Sequence, residues 1–308
     1  MILVVGESLV DVIRRGDGTR DERAGGSPFN VAVGLTRLGR PTMLATRVGE
    51  DERGRRLVSH LRDEGVHLLG DPTGLPRTSS AVADLDDQGA ARYFFDLTWD
   101  LPSAALPARA TFLHTGSLAT MIEPGAQTVL ELMQRSRPKV TISYDPNIRP
   151  SLIADRKHAV AHVERSVAHA HLIKASSDDV EYLYPGEPTD AIAHRWLGLG
   201  PTVVVITSGA GGASLYTRHH TRHVAAPAVA VVDTVGAGDA FMAGLIDALA
   251  RADLLQPQAF SFINTRTAET LDNLLRHATR VASLTCQRAG ANPPTRQELD
   301  WASQHETA

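Results

Sequence analysis

Short runs of β-branched and other apolar residues alternate along most of this chain with segments whose apolar positions recur every three to four residues. A short apolar run, an amphipathic helix and another such run make a strand–helix–strand unit. Such units stack into a mostly parallel sheet with helices on both faces, a three-layer α/β architecture. Ile2–Val5, Thr42–Val48, Thr111–Thr115, Val140–Tyr144, His171–Lys174 and Thr202–Thr207 read as the strands. Helical periodicity runs over Asn30–Leu38, Glu52–Glu64, 124–136, 156–169, 189–198, Asp239–Arg251 and 266–287. Gly39 and Gly65 are the expected stops of the first two.

Two stretches break this rhythm. Val10–Arg15 runs into Gly16-Asp17-Gly18, and Ser79–Asp84 and Ala91–Asp96 flank Asp86-Asp87-Gln88-Gly89; both read as β-hairpins. They are expected to form a small antiparallel β flap, inserted at about 10–24 and 76–98 into a single domain spanning 1–308. Tyr93-Phe94-Phe95 and Trp99 either pack this hairpin or line a pocket beneath it.

The 308 residues, 43% apolar and 21% charged, suffice for a sizeable core. A net charge of −4, with no long basic run, gives no general attraction to nucleic acid. No apolar run approaches the length of a membrane span, and Met1–Gly6 is too short for a signal peptide. A single cysteine, Cys286, allows no internal disulfide. A cytoplasmic enzyme without membrane or nucleic-acid partners is expected. The histidines at 219, 220 and 223 sit in a polar hairpin-like stretch, without the helical spacing of a metal motif.

One segment carries most of the chemistry. The apolar run Val229–Val232 is expected to end as a strand in Asp233-Thr234-Val235-Gly236-Ala237-Gly238-Asp239, and a helix begins at once. Glycines there let the backbone approach a ligand, and the unpaired first-turn amides with the helix dipole make an anion site. Asp239 is either a plain helix cap or, beside bound phosphate, a base positioned to take a proton from an attacking hydroxyl. The helix start is expected to favour its ionised form.

This segment resembles the C-terminal signature of the ribokinase-like (PfkB-type) sugar kinases, D-T-x-G-A-G-D. Gly25-Gly26-Ser27-Pro28-Phe29-Asn30-Val31-Ala32, continuing to Leu38-Gly39, is similar to that family's N-terminal signature, about 200 residues earlier. Asp145-Pro146-Asn147-Ile148-Arg149 is similar to the bacterial fructokinase-like branch. The resemblance implies an ATP- and Mg²⁺-dependent kinase acting on a primary hydroxyl of a small sugar, with fructose favoured. Ribose, 2-keto-3-deoxygluconate or a nucleoside stay open, as does a non-catalytic sugar-binding regulator. It also implies that the flap is a lid over the sugar and a surface for homodimerisation.

Residue by residue, the resemblance puts Asp239 as base, the amides of Gly236, Ala237 and Gly238 around the phosphoryl group, and Arg149 on the transferred phosphate. Asp11, Gly25, Gly26 and Asn30 match sugar-binding positions; from spacing alone, Asp11 is a hairpin residue and Asn30 an N-cap. Lys174 and Ser176 at a strand end, with Thr207, Gly209 and Gly212 of a T-x-G-x-x-G-like loop, fall on the nucleotide side. The family's N-x-x-E becomes Ser176 and Asp179 here, so Asp179 is expected to order water around Mg²⁺, with Asp178 and Glu181 as other acids in reach. Thr279 stands where the family often has Asn along the nucleotide cleft. Asp233 and the Val235 carbonyl match positions that hold a monovalent cation, K⁺, in some members. Other enzyme classes lack their marks: no G-x-S-x-G elbow is present, and Gly6-Glu7-Ser8 is no dinucleotide turn.

Overall fold

Alternate residues of the first strand point to opposite cores, and the whole molecule is built on that division. The computed structural model describes residues 1–305 apart from 17, 86–90, 103 and 154, so Asp17 and the turn Asp86–Gly89 lie outside the described residues. Strands β1 (Ile2–Val5), β2 (Leu9–Arg14), β3 (Arg20–Gly25), β4 (Thr42–Ala45), β5 (His67–Leu68), β6 (Ser80–Leu85) and β7 (Ala91–Asp96) come first. They are followed by β8 (Phe112–Gly116), β9 (Thr141–Asp145), β10 (Leu172–Ser176), β11 (Val203–Thr207), β12 (Ala213–Tyr216) and β13 (Thr221–Val224). The helices are α1 (Ser27–Arg37), α2 (Glu52–Asp63), α3 (Gly125–Ser136), α4 (Arg156–His169), α5 (Ser177–Leu183) and α6 (Thr189–Leu199). The last four are α7 (Ala237–Arg251), α8 (Pro257–Ser261), α9 (Ala268–Cys286) and α10 (Arg296–His305).

Among the described residues the main sheet has nine strands in the order β13-β12-β11-β10-β9-β8-β1-β4-β5. It is parallel from β5 to β11, while β12 and β13 add an antiparallel edge. Ile2 and Val4 join one core with residues of α1, α2, α7 and α9; Leu3 and Val5 join the other with residues of α3, α4, α5 and α6. Both faces are therefore covered, which explains the unbroken burial of β1, β8 and β9. The expected three-layer α/β fold is what forms.

The second sheet, β3-β2-β6-β7, collects the two segments that broke the rhythm. The β2–β3 and β6–β7 pairs are antiparallel hairpins joined through a parallel β2–β6 pair, with Val10 opposite Ser80. Phe94 is exposed in this sheet, whereas Trp99 is buried in the main core, where its Nε1–H donates to the Ala119 carbonyl at 3.0 Å. Trp99 therefore packs the domain.

Two local expectations change. Val229–Val232 is not a strand: β13 ends at Val224, the chain is irregular through 230, and Val231 and Val232 are exposed. The run lies beyond the sheet's edge, and the Val232 amide goes to the Cys286 carbonyl at 2.8 Å instead of a ladder. Helix α1 starts at Ser27, not at Asn30, because Gly26 at φ 104° supplies the cap position and Pro28 suits the first turn. Asn30 is thereby moved from cap to helix face.

Trp196 shows how the core under β10 and β11 is closed: it is fully buried, lies edge-on to Tyr184 with ring centroids 6.1 Å apart, and donates to the Tyr184 hydroxyl at 3.1 Å. Trp196→Ala should therefore lower unfolding free energy by about 3–5 kcal/mol, through lost burial and the cavity left behind. A urea titration checks this, as a lower midpoint with an unchanged slope.

Candidate active site

In an open parallel sheet, ligands bind beyond the carboxyl ends of the strands, where neighbouring connections run in opposite directions. Here β1 lies between β4 and β8, so the reversal falls beside the segment Gly6–Ser8. The carboxyl ends of β9, β10 and β11 bring Asp145, Lys174, Ser176 and Thr207 to the same edge.

Helix α7 begins there. Gly236 is its N-cap, in the left-handed region at φ 75°, so Asp239 is not the cap. The first helical bond runs from Ala240 to the Gly236 carbonyl at 2.8 Å, and the Ala237 amide goes to Thr234 at 3.2 Å. Within the expected cradle, Ala237 is thus already partnered, which leaves the amides of Gly238 and Asp239 as first-turn donors for an anion. The Asp239 carboxylate turns toward α1. It accepts from Ser27 Oγ at 2.6 Å and from Asn30 Nδ2 at 2.7 Å. Ser27 and Asn30 are three apart on α1 and share a face, which is how both reach one carboxylate. Burial pushes the Asp239 carboxyl above its ordinary range, against the pull of Ser27, Asn30, Lys174 and Arg149. The helix start was expected to favour ionisation; desolvation outweighs it.

Lys174 supplies a buried cation beneath the same loop. Its Nζ donates to Asp145 Oδ2 at 2.8 Å, and a β-carbon at Gly238 would stand only 3.0 Å from it. Burial works against the ammonium, but Asp145, Asp179 and Asp239 hold its pKa above the usual lysine range. The other oxygen of Asp145, Oδ1, is buried with no hydrogen-bond partner among the described residues.

On the opposite wall stand Asp11, Gly25 and Gly26. A β-carbon at Gly25 would fall 2.2 Å from Asp11 Oδ2, and one at Gly26 would fall 2.6 Å from the Glu7 carbonyl. Those two glycines let the β3–α1 junction close against β2 and leave the Asp11 carboxylate at the opening. Burial raises Asp11 to about 6, with Arg149 opposing and Asp239 reinforcing. Glu7 had no part in the sequence reading of the site. It is buried, accepts from the Ala119 amide at 3.0 Å, and is raised by desolvation to about 7. Its only sequence signal was a charged residue two positions past a buried strand.

The Asp145–Arg149 loop and the start of α5 are tied together. Asp179 accepts from Ile148 N at 2.6 Å and from both the amide and hydroxyl of Ser176, at 2.8 and 2.7 Å. Ser176 returns a bond to the Asp179 amide, completing a capping box. Both side chains expected at the nucleotide and Mg²⁺ are thus engaged in shaping the loop. Asp178 and Glu181 are exposed, and Glu181 accepts from Gly186. Arg149 reaches the rim, held by Asn147 Oδ1 at 2.7 Å, and its charge acts on both Asp11 and Asp239.

Thr207, Gly209 and Gly212 form the turn from β11 into β12, with the Ser208 amide bonded to the Gly212 carbonyl. Asp233 accepts from Val235 N at 3.0 Å and Gly290 N at 2.8 Å, so it pins the segment ahead of the glycine loop. Arg23 of β3 approaches the same carboxylate at 3.8 Å. Thr279 bonds the carbonyls of its own helix, Leu275 and Arg276, instead of facing a cleft. His219, His220 and His223 sit at the β12–β13 hairpin, and no cluster of three or more potential metal ligands occurs among the described residues.

A buried carboxylate thus stands beside an open helix start, at the reversal point of the sheet. The chain belongs to the pfkB carbohydrate kinases: the pfkB family carbohydrate kinase profile matches residues 1–298. It is 37% identical over 270 residues to a fructokinase of Rhizobium leguminosarum bv. trifolii, covering 83% of this chain and 81% of the relative. A fructokinase of Xylella fastidiosa with bound ATP superposes with a TM-score of 0.89 at 24% identity, over 100% of this chain and 99% of that one. A double mutant of the Vibrio cholerae O395 fructokinase, with fructose, ADP and potassium ion bound, gives 0.76 at 26% identity, covering 97% and 94%.

Glu7 yields a pH prediction. Its folded pKa of about 7 exceeds the 4.5 of the open chain, so the folded protein binds the extra proton. Its contribution is complete below pH 4.5 and is lost as pH rises through 7. A shift of that size is of order 3 kcal/mol. Glu7→Gln should gain stability relative to the parent by that order between pH 5 and 8, read as the difference between two urea-denaturation series.

Proposed function

We propose that this chain transfers the γ-phosphoryl group of ATP to a primary hydroxyl of fructose. The observation that carries the reading is the Asp239 carboxylate, held by Ser27 and Asn30 beside the first-turn amides of α7. The sugar hydroxyl oxygen attacks the γ-phosphorus, its proton passes to Asp239, and the bond to the β–γ bridging oxygen breaks to release ADP. Amides at Gly238 and Asp239 face the charge that develops on the phosphoryl oxygens, and Lys174 and Arg149 place cations on either side. Asp11, the Gly25–Gly26 backbone and the free oxygen of Asn30 bind the remaining hydroxyls. Thr207, Gly209 and Gly212 border the nucleotide.

Mg²⁺ supplies charge neutralisation on the nucleotide phosphates and keeps most of its own waters. Asp179, bonded to three protein donors, would help hold it through water, and it also holds the Asp145–Arg149 loop. Asp233 and the Val235 carbonyl are the place for K⁺, in keeping with the potassium ion of the Vibrio cholerae structure. The β3-β2-β6-β7 sheet serves as the lid, excluding water that would hydrolyse ATP, and offers its outer face for a homodimer. The reading places the enzyme in the cytoplasm; no helix among the described residues is long and apolar enough to cross a membrane.

The identity of roughly a third to bacterial fructokinases supports fructose over ribose, 2-keto-3-deoxygluconate or a nucleoside. An ADP-release assay over that panel should give the highest kcat/KM on fructose. Tight sugar binding with no ADP release would instead identify a regulator. Asp239→Ala should fold normally and lose about 10²–10⁴-fold in kcat, the range for removing a positioned base. Near-parental turnover in that variant would remove the assignment.

A further inference from the structure

Lys174 lies beneath the glycine loop because of where the sheet puts it. Strands β9 and β10 are parallel neighbours with Tyr144 opposite Ile173, so Asp145 and Lys174 come next in the register. Leu172 and Val205 face the core shared with α7 and α9. Lys174, two residues past Leu172 and opposite Val205, points to the same side. Its ammonium thereby reaches the first turn of α7, where the missing β-carbon of Gly238 leaves it room.

The acids around this ammonium are held in different ways. Asp239 on α7 accepts from Ser27 and Asn30, and Asp179 on α5 accepts from Ile148 and Ser176. Asp145 on β9 has no such donors. Its Oδ2 accepts from Lys174 Nζ at 2.8 Å, and its Oδ1 has no partner among the described residues, although the side chain is fully buried. The two side chains therefore depend on each other. Burial acts most strongly on Lys174 and favours the neutral amine; Asp145 is the foremost of the charges opposing it, ahead of Asp179 and Asp239. An ammonium has three N–H donors, and fixing one of them on Asp145 limits where the other two can point.

We propose that Asp145 is a positioning residue for phosphoryl transfer, holding the Lys174 ammonium against the first turn of α7. It acts through Lys174 and not by touching either substrate. This role rests on the proposed reaction, in which Lys174 faces the moving phosphoryl group.

ADP release with the best acceptor of the sugar panel tests it, in a cycle of parent, Asp145→Asn, Lys174→Met and the double variant. Asp145→Asn keeps the shape and removes the charge. It should lower kcat about tenfold or more, since a preorganised cation is lost. The KM for the sugar should stay within about threefold, because Asp11 and the Gly25–Gly26 junction stand on the opposite wall. Lys174→Met should lose at least as much kcat. In that background the lone buried Asp145 takes up a proton, so exchanging it for Asn should change kcat by less than about threefold. A merely structural acid would instead keep its full effect there. Urea midpoints are read for each variant. Should Asp145→Asn fail to fold, Lys174→Met and the double variant, neither with an unpaired buried charge, still make the decisive comparison. Losses that multiply in the double variant, a sugar KM that rises as far as kcat falls, or an Asp145→Asn kcat within about threefold of the parent overturn the role. No turnover of any sugar by the parent removes the proposed reaction itself. Near-parental turnover by Lys174→Met removes only Lys174 from it, and either result takes the Asp145 role away as well.

Discussion

The contact between Asp239 on α7 and the Ser27–Asn30 pair on α1 governs the arrangement of the molecule's business end. A buried carboxylate needs donors, and these two come from 212 and 209 residues away. Their bonds tie the start of α1 to the start of α7. One side chain therefore joins the two halves of the chain.

Around that contact the local charge is mostly negative. Glu7, Asp11, Asp145, Asp179 and Asp239 crowd the strand ends, and Lys174 and Arg149 are the cations within their reach. Burial without enough compensation raises Glu7, Asp11 and Asp239 together. Each of these carboxyls therefore holds its proton more readily than an exposed acid does. Lys174 is kept charged by the same crowd of acids, and the absence of a β-carbon at Gly238 is what lets it lie against the loop.

Where sequence reasoning fell short, it misjudged which partner a polar group would find. Val229–Val232 has strand composition, yet no strand remains beyond β13 for it to pair with, so it runs exposed as irregular chain. Asp179 was read only for its reach toward Mg²⁺; its bonds to Ile148 and Ser176 add a loop-shaping part that the spacing did not show. Thr279 and Ala237 are likewise consumed by carbonyls nearby. Glu7 and Ser27 were given no role because the partners that define them, Ala119 and Asp239, lie 112 and 212 residues away.

From the sequence alone came the alternating strands and helices, the two hairpin insertions and the glycine loop leading into α7. Each depends on periodicity or backbone freedom, properties that reside in adjacent residues. The tertiary structure decided which acid is gripped, which amides stay open and which carboxyls are lifted in pKa. Those outcomes depend on desolvation and on donors from distant segments, and neither exists until the chain has closed on itself.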